Sequence, residues 1–176
     1  MHQKDRPVPP DVPFLVKGPS FAAGMPEEPE VARFRTAIDD AGALAFFDYW
    51  IEKCGADDIP GKAQIDPIEI PKLLSAMFIE EWDPSVGQSR IRLAGEFHRE
   101  PDGSNIQDRT IDELANGETA ELWKACDRCN FFELRPTICP YDLDHFDKPF
   151  VRHADLALPV RDPDSAILVY GYSWLL

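Results

Sequence analysis

Apolar residues recur at helical spacing through Val31, Phe34, Ile38 and Ala41, and Pro29 suits a first helical turn, so the pattern predicts a helix starting near there. Gly42 is expected to divide it from a second helix over 43–54, which carries Phe46, Phe47, Trp50, Ile51 and Cys54 on one stripe and stops at Gly55. Asp66-Pro67-Ile68-Glu69 combines a cap residue, a proline at the first helical position and a glutamate three residues after the cap, the marks of a short helical turn. The period then changes to two. Strands are expected over 75–82 and 90–97, joined as a hairpin by the turn 83–87. One helical turn at 110–115 precedes a long helix over 118–134, with Leu122, Cys126, Cys129 and Phe132 on its apolar stripe and Glu133 in solvent. Three strands at 136–143, 150–160 and 166–176 complete the chain, with polar turns at 144–149 and 161–165.

Helices, a strand pair, small helices, one long helix and three strands, in that order, argue for an α+β fold: an antiparallel sheet flanked by helices. Seven of the 17 prolines lie in the first 30 residues, where neither period is visible, so 1–27 read as an extended, flexible arm. Residues 28–54 then form N-terminal helices and 55–176 the sheet-bearing domain.

Composition narrows the partners. A chain of 176 residues can bury roughly 70% of its unfolded surface, so its core needs no staples. Its net charge of -14, spread along its length, disfavours nucleic acid and anionic membrane. No apolar run approaches the roughly 20 residues of a membrane span, and prolines interrupt the N-terminus where a secretory segment would need an apolar run. A cytoplasmic protein is expected, with Cys54, Cys126, Cys129 and Cys139 as reduced thiols.

Tyr49-Trp50, Ile65-Asp66-Pro67 and Ile70-Pro71-Lys72-Leu73-Leu74 leading into a strand, followed by Arg92-Leu93-Ala94-Gly95, Gly103, Ile106 and Leu114, resemble a bacterial branch of the PAS superfamily, common in alphaproteobacteria. The resemblance covers 43–176 and departs at Glu96, Asp102 and Asp108, where threonine or serine, an aromatic and a glycine are usual. It implies a five-stranded antiparallel sheet, with helices from 104–134 over its concave side and the N-terminal helices as an extension. The implied function is that of a sensory or adaptor module in bacterial signalling, acting through protein contacts or a small ligand, not an enzyme. No kinase, cyclase or DNA-binding segment follows Leu176, so output is expected to pass through a signalling partner or through self-association.

Given that fold, strand parity and helical spacing select Ile79, Ile91, Leu93, Phe97, Ile106, Leu114, Leu122 and Cys126 as the lining of its pocket. Such bulky walls suit a small apolar ligand, or none, and no cofactor is expected. The long helix lacks the histidine of haem-binding relatives, and Cys126-Asp127-Arg128-Cys129-Asn130-Phe131 does not reproduce the motif of flavin photoreceptors. The aromatic wealth of the N-terminal helices, with Phe34, Phe46, Phe47 and Trp50, predicts a homodimer interface.

A second reading is a metal- or thiol-dependent enzyme or redox sensor. Cys126 and Cys129, three apart on a helix, could join Cys139 and His145 in a tetrahedral zinc site. No second compact pair accompanies them, which favours small buried cysteines and no metal. Asp142, Asp144 and Asp147 around His145 read as a solvated turn, because the loop and terminal glutamate of a calcium site are missing. His98 and His153 read as structural or surface histidines.

Overall fold

The computed structural model describes residues 15–56, 58–99, 103–143, 148–164 and 166–176. Its six strands are β1 (Val16–Lys17), β2 (Met77–Asp83), β3 (Gln88–Ala94), β4 (Thr137–Leu143), β5 (Lys148–Asp162) and β6 (Ala166–Leu175). They form one sheet in the order β1-β4-β5-β6-β2-β3, every neighbouring pair antiparallel. The five expected strands are present. The sixth, β1, comes from the stretch read as an arm, where backbone bonds from Gly18 to Pro136 (2.7 Å) and from Phe21 to Leu134 (3.0 Å) continue its course. Phe21 carries no helical or alternating signal, yet it is 1% exposed and meets Trp50 edge-on at 4.9 Å.

Alternation gives the sheet two unlike faces. Leu156, Leu158 and Val160 of β5, with Leu168, Tyr170 and Trp174 of β6, face α1 (Glu28–Thr36) and α2 (Ala41–Lys53) and form the main core with Phe34, Phe46, Phe47 and Trp50. The four aromatics assigned to a dimer interface are no more than 3% exposed, so they are corrected to interior residues of one chain. Their apolar stripe is matched by the chain's own sheet. Gly42 does not divide the helices: Asp40 caps α2 by accepting from the Ala43 amide at 2.8 Å, and Gly42 lies in the first turn.

The motif residues around α2 are structural. Trp50 Nε1 donates to the Pro159 carbonyl (2.9 Å), and the Tyr49 hydroxyl accepts from the Asp66 amide (2.8 Å) while donating to Glu69 (2.7 Å). This ties the capped 3-10 turn Pro67–Glu69 to the helix. At Gly95 a Cβ would run into the Leu74 and Ser75 carbonyls, which explains glycine after Arg92-Leu93-Ala94.

The opposite face is covered by α3 (Ile111–Leu114) and α4 (Gly117–Asp127), which continues into a π turn, Arg128–Phe132. The expected single helix therefore changes pitch after Asp127. A π turn takes more residues per revolution, so the side-chain stripe rotates: Phe131 is buried at 7% exposure, and Phe132, expected inside, is 61% exposed. Asn130 fixes the turn to the sheet, donating to the Arg135 carbonyl (2.7 Å) and to Thr137 Oγ1 (3.2 Å).

Candidate functional site

Between this helical layer and the sheet lies a cavity of about 350 Å³. Its apolar wall is built by Phe78 and Ile91 from the sheet, Ile106 from the connecting loop, Leu114 from α3 and Trp123 from α4. Phe78 reaches across β6 because its strand neighbour is Gly171, and any Cβ there would enter the Phe78 ring. The outer strand of this wall is closed by the loop before α3: the Ile91 amide donates to the Arg109 carbonyl (3.0 Å) and the Asp108 amide to the Ile91 carbonyl (2.6 Å). Asp108 takes φ +66, the left-handed region that favours glycine, as the usual residue there implies.

Of the eight residues selected from sequence, Ile91, Phe97, Ile106, Leu114 and Cys126 line the cavity. Ile79, Leu93 and Leu122 do not. Ile79 has the opposite parity to Phe78 and Glu80 and packs with the α2 core. A bulge pairs Ile79 with Leu93 but Glu80 with Ile91, so one additional residue, Arg92, throws Leu93 onto the other face, where it is 55% exposed. Leu122 lies beside the cavity with Leu15, Cys139 and Tyr141.

Three carboxyl groups that sequence reading passed over also face the cavity: Glu80, Asp127 and Asp155. Asp155 accepts from Ser173 Oγ (2.5 Å) and the Tyr141 hydroxyl (3.3 Å), yet burial pushes it up to about 7. Asp127 accepts from the Ser89 amide (3.1 Å) and is likewise pushed up by burial to about 7. Glu80 is raised well above the usual carboxyl range, first by burial and then by the charges of Asp127 and Asp155. It is partly buried and stands in the cavity wall. Among the described residues, no group donates a hydrogen bond to its carboxyl. A signal was available for two of the three: Glu80 shares its strand parity with Phe78 and Trp82 on β2, and Asp155 shares its parity with Ala157 on β5.

The mouth is aromatic. Phe97, 38% exposed, lies 5.4 Å from the His98 ring and 5.3 Å from the His153 ring, and Trp123 meets Tyr141 edge-on at 5.1 Å. A His98 ring nitrogen is 3.0 Å from the Ala76 carbonyl, and burial holds this imidazole below its ordinary range. Both histidines read as structural thus belong to the cavity wall.

The cysteines divide. Cys126 and Cys139 pack together, whereas Cys129 follows the change of pitch after Asp127 and lies outside both their cluster and the cavity lining. Burial pushes Cys139 well above its ordinary range and Cys129 up to about 11, so both are thiols at neutral pH. Among the described residues, no three His, Cys, Asp or Glu side chains group as a metal site; His145, Asp144 and Asp147 lie outside the described residues. Also among the described residues, no helix is long and apolar enough to cross a membrane.

No curated protein and no solved structure matches the chain. A family model described as PAS domain matches residues 38–139, more than half of the 176, from the end of α1 through α2 and both cavity helices into β4. The match spans the capped Asp66-Pro67 turn, the Gly95 close approach and the part of the cavity wall from Phe78 to Cys139, and the strand order and two-faced sheet agree with it: the chain belongs to the PAS domain family.

Proposed function

We propose that this PAS domain senses a small molecule held between the sheet and α3–α4, and that its output passes through contact with a signalling partner or a second copy of the chain. The observation that supports it most is the cavity itself, whose volume of about 350 Å³ falls at the small end of the ~300–1,000 Å³ typical of small-molecule sites. The wall mixes apolar side chains with a few buried polar groups, the composition that gives a binding site both affinity and orientation. Binding, not catalysis, suits it: Asp127 and Asp155 are engaged by the fold's own Ser89 and Ser173, and the shifted thiols of Cys129 and Cys139 are poor nucleophiles.

A route outward is present. The 3-10 turn Glu96–His98 flanks the cavity and is held to the segment before β2 by His98 at the Ala76 carbonyl, so displacement at the mouth reaches the sheet. Homodimer formation is one form of this output, through surfaces other than the buried Phe34, Phe46, Phe47 and Trp50.

Thermal-shift screening against small metabolites tests the reading, with Leu114→Trp as a variant that fills the cavity. At least one compound is expected to raise the melting temperature of the wild type and leave that of the folded variant unchanged. Equal shifts in both proteins, or none in either, would refute it.

A further inference from the structure

The cavity's polar groups specify a ligand class. We propose, building on the reading of the cavity as a ligand site, that it takes a small organic cation, a protonated amine on an apolar body, with Glu80 as its counter-ion.

Glu80 carries the argument. It stands on β2, partly buried and in the cavity wall, and among the described residues it has no hydrogen-bond donor, whereas Asp127 has Ser89 and Asp155 has Ser173 and Tyr141. A partly buried carboxyl in a largely apolar wall gains from a donor, and an ammonium group supplies both the donor and the opposite charge. The titratable groups that act on it or feel it are Cys126 and Asp127 from α4, Cys139 from β4 and Asp155 from β5, all of them acidic and none basic, so the local field favours a cation and opposes an anion.

The basic groups of the wall do not cancel this field. Arg99 pairs with Glu96 at 3.1 Å, and Arg109 Nη2 donates to the Glu113 carbonyl at 2.6 Å with the Glu113 carboxylate nearby. His98 is held below its ordinary range by burial, with His153 beyond it at the mouth. The aromatic side chains of Phe78, Trp123 and Tyr141 in the wall suit both the cation and an apolar body. The net charge of -14 raises the local concentration of cations around the whole molecule.

Binding is coupled to proton loss. In the empty cavity, burial and the neighbouring carboxyls favour the protonated form of Glu80; an entering ammonium favours the carboxylate, so a carboxyl proton passes to solvent as the N–H groups take its place at the oxygens. Affinity therefore rises with pH for the cation and not for a neutral analogue.

Calorimetry on the full chain tests this with three probes of like shape: phenethylamine, 2-phenylethanol and phenylacetate. The amine is expected to bind at least tenfold more tightly than the alcohol, phenylacetate not at all, and the amine heat to vary with buffer ionisation enthalpy as protons are released. Glu80→Gln should weaken the amine at least tenfold and leave the alcohol within twofold. If that variant does not fold, the wild-type series from about pH 7.5 to 5.5 decides, with amine affinity falling and alcohol affinity constant. Alcohol or phenylacetate binding as tightly as the amine would overturn the cation assignment and leave the ligand cavity standing. Failure of all three at millimolar concentration would overturn the cation assignment and leave the ligand cavity to the thermal-shift screen.

Discussion

Asp155 shows how much one side chain's surroundings determine. On a surface turn it would titrate near ~3.9; beneath α4, with Ser173 and Tyr141 as its only donors among the described residues, it is pushed up to about 7. A carboxyl raised on folding binds its proton more tightly in the folded state, so the stability it contributes is present at low pH and is lost as pH rises through the folded value near 7. Asp155→Asn is therefore expected to flatten the fall in melting temperature from about pH 5.5 to 8, without abolishing it, because Asp127 and Glu80 are raised too. An unchanged slope would contradict the assignment. A second residue-scale test separates the two sides of the bulge. Leu114→Ala, at a 7% exposed cavity position, should cost ~2–5 kcal/mol, and Leu93→Ala, at a 55% exposed one, within about 0.5 kcal/mol of nothing, measured by denaturant unfolding.

Elements were more legible in the sequence than the faces they present. Alternation and turn residues located the strands and the 83–87 hairpin, and Asp66-Pro67 located its helical turn, because each signal acts within a few residues. Leu93 and Phe132 were misplaced for a different reason: a bulge and a π turn each change the count of residues per repeat, and neither leaves a mark in a list of apolar positions. The aromatic stripe of α2 was read correctly as a stripe, but its partner could be named only once β5 and β6 were seen to lie beneath it. Trp50→Ala is accordingly expected to destabilise the protein by ~3–5 kcal/mol, from lost packing and the lost bond to Pro159, without altering its oligomeric state by sedimentation. A stable variant with a changed oligomeric state would return Trp50 to an interface.

At the scale of the whole molecule, the sheet separates a packed side from a hollow one. The α1–α2 side holds the densest group of fully buried large side chains, and the α3–α4 side keeps a cavity with three carboxyls in its wall. Glu80 and Asp155 escaped the sequence reading because an acidic residue in a strand ordinarily marks the solvent face; here both faces are covered by helices. A packed layer and a hollow layer on one sheet let the cavity change while the fold persists, which is the property a sensor needs. The most direct test is methyl NMR of the full chain titrated with phenethylamine. Binding in the cavity predicts saturable shifts at the methyls of Ile91, Ile106, Ile111 and Leu114, with Ile79 and Leu93 on the other face unmoved. Shifts confined to exposed methyls such as Val86 and Leu93, or no shifts at all, would contradict it.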